Sequence, residues 1–505
     1  MPSTIPDLFD EAVTAAPSRV WLHAEGRTFT YSEAHALVGR AASALAELGV
    51  RPGELVLATA RNTPEYLFAW LGAAYAGAII VAVNPRAGGN ELAGLIRQVR
   101  PRLVVTDATA PSAVRESGGA TIDVAALYSR PAGPVAPPRP GPDDPAALIP
   151  TSGTTGRSKL VTQTHRAYVM AGEGFPWWME LGPDDRLMTS LPLFHINAPA
   201  YSMLGSVAAR AGLVLLPRFS ASTFLDSARR HGATEFNAIG AMLEILMRQP
   251  ERDDDADTPL RLCYTGPAPP RARQIEIEER FGLRIVCGYA LSESPYGMIW
   301  PHGSRPFGTL GTVRQHPHLG AVNEARVVSD GRDVPDGEIG ELELRNPAVM
   351  QGYWDMPGET AQAVSSDGWL RTGDLVHRNP DGTYTFVGRE KEVIRRRGEN
   401  VAPAEIEEAL CTHPTVTEAA VVGVPSDLTE EEIKGFVTVA EPGTADLAAI
   451  RETAAGLLAP FKVPRYLEAV AELPHTPTGR IAKHELPQER TGAEVDFDSR
   501  VGSAG

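Results

Sequence analysis

Between residues 32 and 106, short apolar runs alternate with stretches whose apolar side chains recur at helical spacing, and that alternation leaves few architectures open. Helical spacing runs from Ser32 to Gly49. After the turn at Pro52-Gly53, the run from Glu54 to Ala60 reads as a strand. A second helix from about Thr63 to Ala76 leads to a strand from Ala78 to Val83, and Leu103 to Thr106 adds one more. Alternation at this pace indicates an α/β fold with largely parallel pairing. With 505 residues and 43% hydrophobic content, the chain divides into more than one domain.

The texture changes near Gly388. Before it, Gly340 to Tyr353 alternates like antiparallel strands. After it come a charged stretch from Arg389 to Asn400, a helix from about Ala404 to Cys411, and strands at Ala419 to Val424 and Lys434 to Val439. The expected organisation is a large N-terminal domain over 1–388, a small α+β domain over 389–487, and a disordered polar tail over 488–505. Ser129 to Asp144, rich in Pro and Gly, reads as an exposed connection.

Directly after that connection stands Thr151-Ser-Gly-Thr-Thr-Gly-Arg-Ser-Lys159. Glycines let a backbone approach an anion, hydroxyls and N–H groups donate to phosphate oxygens, and Lys159 adds a point charge. The same composition also suits a flexible loop, and the spacing matches neither a Walker A sequence nor a dinucleotide turn. Its flanks favour the phosphate reading, because Ala146 to Pro150 and Leu160 to Thr162 frame it with apolar strands.

Composition removes several function classes. No apolar run approaches bilayer length, and the N-terminal Met-Pro-Ser-Thr-Ile-Pro-Asp lacks a basic region followed by an apolar one, so a soluble cytoplasmic protein is expected. Cys263, Cys287 and Cys411 suggest neither a disulfide framework nor a zinc site. The net charge of −16 argues against non-specific nucleic-acid binding, so a polyanionic ligand needs a locally positive site.

Further segments lie in order beside the phosphate loop: Leu191-Pro-Leu-Phe-His195, Tyr264-Thr-Gly-Pro-Ala268, Gly288-Tyr-Ala-Leu-Ser-Glu293, Gly340-Glu-Leu342, Arg371-Thr-Gly-Asp374, Gly388-Arg389 through Arg397-Gly-Glu-Asn400, and Pro477-Thr-Gly-Arg480. Together they resemble the adenylate-forming superfamily of acyl-CoA synthetases, luciferases and peptide-synthetase adenylation domains. The likeness covers nearly the whole chain. It looks closest to acid–CoA ligases of the carnitine/crotonobetaine and coumarate type. The resemblance implies a large domain of parallel and mixed sheets with a β-barrel-like part, and a small mobile C-terminal domain. It also implies a two-step reaction, in which a carboxylate attacks the α-phosphate of ATP and CoA then takes the acyl group from the adenylate.

The resemblance assigns roles residue by residue. Thr151, Ser152, Gly153, Thr154, Thr155, Gly156 and Lys159 would cover the β- and γ-phosphates, with Mg²⁺ held by Glu293 and Thr155. Tyr289 would stack on adenine beside Gly266, Pro267 and Ala268, with Gly288 and Ser292 in the same segment. Asp374 would accept from the ribose hydroxyls, with Arg389 assisting. Lys391 matches the hinge and His195 the gate of the acyl pocket, which Phe194, Asn197, Ala238, Gly240 and Leu291 would line. Arg395 to Arg397 would attract the phosphates of CoA. Plainer alternatives stand beside these: a core tyrosine at Tyr289, a turn aspartate at Asp374, a solvated charge run at 395–397.

One departure bears on the chemistry. Where the family carries a lysine in Pro-x-Thr-Gly-Lys, bridging the carboxylate and the α-phosphate, this chain has Arg480. Arginine stays charged, yet its planar fork does not mimic an ammonium. The chain either adenylates with arginine, recruits Lys483, or activates something other than a carboxylate, as diazotases do in joining nitrite to an aryl amine. A non-catalytic nucleotide-binding member is a further alternative. The pocket positions are mostly small or apolar, so a flat or modest apolar or aryl acid is expected; nothing in the sequence sets an oligomeric state.

Overall fold

The structure, a computed structural model, describes residues 3–107, 114, 120–129, 139–151, 158–266, 268–269, 271–329, 331–389, 394–401, 403–426, 430–439, 445–474, 481 and 483–498, with backbone alone at 240, 241, 387–389, 400, 404 and 484. Contacts divide the chain into two units. One comprises Met1–Pro85, Ile96–Pro150 and Lys159–Glu390, the other Arg86–Leu95, Thr151–Ser158 and Lys391–Gly505.

In the larger unit the expected strands form as Leu55–Thr59, Ile79–Ala82 and Leu103–Thr106, paired in parallel within a seven-stranded sheet. They are buried on both faces, which is why they read as unbroken apolar runs rather than as alternations. Between the first two lies helix Pro64–Tyr75, started by the Thr63 hydroxyl, which accepts from the Tyr66 N–H. That helix is apolar all round and buried over most of its length, as a core helix should be. Helix Tyr31–Glu47 begins in a reciprocal cap between Thr30 and Glu33 and buries Ala34, Val38, Ala41 and Leu45 along one stripe.

A second, nine-stranded sheet carries Arg186–Thr189, Glu235–Ala238, Leu262–Thr265 and Arg284–Tyr289 side by side and parallel. The hairpin Val20–Ala24/Arg27–Thr30 joins this sheet by parallel pairing with Gly212–Leu215. Strands of four or five residues give too short a period to be read from sequence, and nothing local marks so distant a partner.

The third sheet is antiparallel, with Glu324–Ser329, Gly340–Arg345, Leu370–Arg378 and Tyr384–Arg389 in register. Where a barrel-like part is expected, the described residues form an open five-stranded sheet. The alternation over 340–353 does not continue into a single strand. Gly340–Arg345 stays in this sheet, while Gly352–Tyr353 pairs with Val161 and Thr162 of the seven-stranded one. That crossing carries Tyr353 toward Lys159.

The smaller unit has a four-stranded sheet, Val416–Pro425, Glu431–Val439, Tyr466–Ala469 and Val495–Asp496, with helices Pro403–Cys411 and Leu447–Ala455. The last strand corrects the expectation of a disordered tail from 488. Lys434 is fully buried, and the Glu494 carboxylate lies 3.2 Å from its ammonium, with Glu468 at 2.8 Å. A buried ammonium needs such partners, so the polar composition of 488–498 marks a counter-charge, not an unfolded end. Among the described residues no helix is long and apolar enough to cross a membrane.

Candidate active site

Because strands Arg186–Thr189, Glu235–Ala238, Leu262–Thr265 and Arg284–Tyr289 are parallel, their carboxyl ends lie along one edge. Open α/β sheets bind ligands at that edge. The strand ends and turns at that edge hold Leu191 to Asn197, Ala238, Gly266, Ala268 and Tyr289 to Glu293.

Two of these turns touch. A Cβ at Gly266 would fall 2.2 Å from the Gly288 carbonyl oxygen, so the strand ends approach this closely only with glycine. Beyond Gly288, the Tyr289 hydroxyl donates to Asp374 Oδ2 at 2.6 Å. Asp374 is 1% exposed and sits opposite Arg389 in the antiparallel sheet. Its aim is set by a break in register, where Gly373 takes φ +69° and donates its N–H to Glu341 Oε1 at 2.9 Å. Thr372 completes the turn, its hydroxyl donating to Leu342 O and accepting from the Asp374 N–H at 3.1 Å. The Thr-Gly-Asp triplet is thus a device for presenting one carboxylate.

Glu293 is placed by a different route. The backbone N–H of Met350 donates to Glu293 O at 2.7 Å, and Gln163 Nε2 donates to Ser292 O at 2.7 Å. The Tyr353 hydroxyl donates to Glu293 Oε1 at 2.9 Å, while Lys159 Nζ stands 4.7 Å from the centre of the Tyr353 ring. Burial and the Glu293 carboxylate push the Tyr353 phenol up, so it stays a donor at physiological pH. Tyr353 therefore links the lysine that closes the phosphate motif to the expected metal ligand. Among the described residues no group of three or more His, Cys, Asp or Glu is arranged to hold a metal ion. A single hard carboxylate at this edge suits Mg²⁺ shared with phosphate oxygens, since Mg²⁺ keeps waters and takes few protein ligands.

On the acyl side, Asn62 pins the turn that carries the expected gate. Its Oδ1 accepts from the Leu193 N–H at 3.0 Å and its Nδ2 donates to Leu191 O at 2.9 Å. Phe194 and His195 follow with ring centroids 4.6 Å apart. Asn197 Oδ1 accepts from Asn237 Nδ2 at 2.6 Å, immediately before a turn of π-helix, Ala198–Met203. Ala238 is buried beside Asn237. Leu291 packs instead toward Met298, Leu310 and Leu342, the core of the antiparallel sheet. Behind Gly288, Arg314 is fully buried. It donates to the Tyr201 hydroxyl at 2.7 Å, the Tyr264 hydroxyl, Pro295 O and Met298 O, and lies 4.5 Å from the Trp178 ring centre. Asn62, Tyr353, Gln163 and Arg314 carry no motif of their own. Only the crossing of Gly352–Tyr353 to the other sheet could have marked one of them.

Ser152 to Gly156, including Thr155, lie outside the described residues, as do Pro267, Lys391 and Arg480. Gly240 and Arg389 are described in backbone only. One expectation in the smaller unit needs correction. Arg396 is not available for CoA phosphates: it is 6% exposed, paired with Glu432, and donates to Phe461 O and Val463 O at 2.8 and 3.0 Å. The neighbouring Arg397 and Gly398, both at positive φ, form the two-residue turn between Ile394–Arg396 and Glu399–Val401. Lys483 Nζ lies 2.6 Å from Glu407 Oε1.

Residues 9–354 match the family model for AMP-binding enzymes, and residues 405–480 match that for the AMP-binding enzyme C-terminal domain. The chain is 33% identical over 513 residues to a sulfoacetate–CoA ligase of Cupriavidus necator, covering 96% of this chain and 98% of that protein. It is 32% identical over 488 residues to a crotonobetaine/carnitine–CoA ligase of Salmonella agona, covering 91% and 93%. In structure it is similar to a double mutant of the o-succinylbenzoate CoA synthetase of Bacillus subtilis bound with a product analogue. That likeness has a TM-score of 0.86 at 25% identity and covers 95% of this chain and 98% of the other. The chain therefore belongs to the AMP-binding enzymes, the adenylate-forming superfamily that its motifs resemble.

Proposed function

We propose that this protein is a Mg-ATP-dependent, AMP-forming acid–CoA ligase acting on a small or aryl carboxylic acid in the cytoplasm. In the first step an oxygen of the acid attacks the α-phosphorus, the bond to the bridging oxygen breaks, and pyrophosphate leaves. In the second, the sulfur of CoA attacks the acyl carbon, its proton is lost to solvent, and AMP leaves. Phosphoryl transfer of this kind rests on positioning and charge neutralisation.

The residues divide that work. Asp374, buried and aimed by the Thr372-Gly373 turn, accepts from the ribose hydroxyls, and the Tyr289 phenol fixes its second oxygen. The Tyr289 ring then presents a face to adenine. Thr151 to Gly156 and Lys159 surround the β- and γ-phosphates, and Glu293 with Thr155 would hold Mg²⁺, which offsets charge on the phosphate oxygens when bound. His195 and Phe194 close the acyl pocket formed with Asn197 and Gly240, whereas Ala238 falls on the other face of its strand, with Phe236. Arg480 supplies the positive charge that bridges carboxylate and α-phosphate. Lys391 is the hinge, and the domain boundary falls at Arg389.

The observation that carries this reading is the pair of phenol–carboxylate bonds, Tyr289 to Asp374 and Tyr353 to Glu293, at one edge of a sheet in a chain of this family. The test is to incubate the protein with Mg-ATP and a panel of acids, with and without CoA, and separately with nitrite and an aminoaryl acid, following AMP and pyrophosphate. Acid-dependent pyrophosphate and a CoA thioester are expected. AMP formed only with nitrite would replace this reading with activation of a non-carboxylate. ATP binding without turnover would make the protein a non-catalytic nucleotide binder.

A further inference from the structure

Resting on the acid-activating reading above, we propose that the acid carries a hydrogen-bond donor, an N–H or O–H group, and that Asn237 recognises it. Asn237 lies near the carboxyl end of strand Glu235–Ala238 and is 1% exposed. Its Nδ2 donates to Asn197 Oδ1 at 2.6 Å, and its Oδ1 has no partner among the described residues. A buried amide oxygen left without a donor is uncommon and costs on the order of 1–3 kcal/mol. A ligand that brings the donor removes that cost.

The surroundings point the same way. Side chains alternate along the strand, so Phe236 and Ala238 share one face, where Phe236 meets Phe224 at 5.0 Å between centroids. Asn237 faces the opposite side, with Tyr264 its register partner on the next strand. On that side stands Asn197 at the start of the π-helical turn Ala198–Met203, a geometry that concentrates at functional sites. The nearby phenols are already engaged: Tyr201 donates to Pro295 O at 2.6 Å, and both Tyr201 and Tyr264 accept from Arg314. Glu235, on the same face, also has buried oxygens without partners, but it sits at the amino end of the strand beside Asp185, away from the turns of the site. Asn197 uses the donor side of Asn237, so what remains is a carbonyl oxygen. That group attracts a donor and repels an anion, which sets a donor-bearing acid apart from one with a second carboxylate at this point.

The test is acid-dependent ATP–pyrophosphate exchange with matched aryl acids, amino- or hydroxy-substituted against methyl- or fluoro-substituted at each ring position. Wild type should favour the donor-bearing member of one pair by about 10- to 100-fold in kcat/KM. In Asn237→Leu, that preference should collapse to within about threefold while ATP affinity and thermal midpoint hold, a split that a purely structural role would not produce. A wild-type preference near unity for every pair would overturn the inference, as would a parallel loss for all acids in the variant. Exchange with none of the acids, while ATP still binds, would instead sink the acid-activating reading and this inference with it.

Discussion

In the larger unit, the two carboxylates of the site meet phenols: Tyr289 donates to Asp374 and Tyr353 to Glu293. In the smaller unit, the buried cations among the described residues meet carboxylates instead, Arg396 with Glu432, Lys434 with Glu468 and Glu494, and Lys462 with Glu405. A neutral phenol orients a carboxylate without cancelling its charge, whereas an ion pair uses up the charge of both members. On the proposed reading, the ribose and metal carboxylates of the larger unit thus keep their charge for the nucleotide. The buried cations of the smaller unit have their charge offset within it. Lys483 pairs with Glu407 in the same unit, and the proposed bridging charge is that of Arg480.

The sharpest way to break this comparison is Arg480→Ala. Loss of an aimed charge at the transition state typically costs on the order of 10²- to 10³-fold, so pyrophosphate exchange should fall by that much while the ATP Kd moves less than about threefold. Lys483→Ala should leave exchange within about twofold of wild type. If the two variants exchange these outcomes, the assignment of charge to Arg480 is wrong.

Next in size is Asp374→Ala. Removing a buried, bidentate acceptor should weaken ATP binding by about 100-fold, read by calorimetry, with the fold intact by circular dichroism. Unchanged affinity would refute the assignment of Asp374 to the ribose.

Tyr353→Phe keeps the ring under Lys159 and removes only the bond to Glu293. The Mg²⁺ concentration for half-maximal ATP binding should rise about tenfold, with little change in ATP affinity measured without Mg²⁺. An equal loss in both conditions would make Tyr353 a packing residue only.

The smallest effect concerns a group outside the site. His165 caps no charge: it is fully buried, accepts weakly from the Ile5 N–H at 3.4 Å, and burial lowers its pKa from 6.5 to about 4, against the pull of Asp144 and Asp7. Between those pH values the unfolded chain binds a proton that the folded chain does not, so stability should fall as pH drops from 6.5 toward 4. His23, depressed to about 4 by burial and Arg186, adds to the same slope. His165→Gln should flatten the dependence of the thermal midpoint on pH without abolishing it; an unchanged slope would contradict the assignment.

How much of this was legible in the sequence depended on whether local chemistry sufficed. The buried strands at 55, 79 and 103 and the Thr-Gly-Asp turn announce themselves, because burial on both faces demands unbroken apolar runs and a register break demands glycine. Tyr353, Asn62 and Arg314 stayed hidden, since each acts on a partner brought close only by sheet order. The tail was misread for the same reason. Glu494 looks like any charged residue until Lys434 is found buried behind it. Arg396 erred in the opposite sense, a member of a charge run that turned out to be interior.

The most direct test of the account is to trap the first intermediate. Wild-type protein, Mg-ATP and an acid of the panel are mixed without CoA, and the bound products are read by mass spectrometry. The account predicts a species with the mass of the acid plus AMP less water, converted to a thioester on adding CoA. Intact ATP with every acid, or AMP released only when nitrite is present, would contradict it.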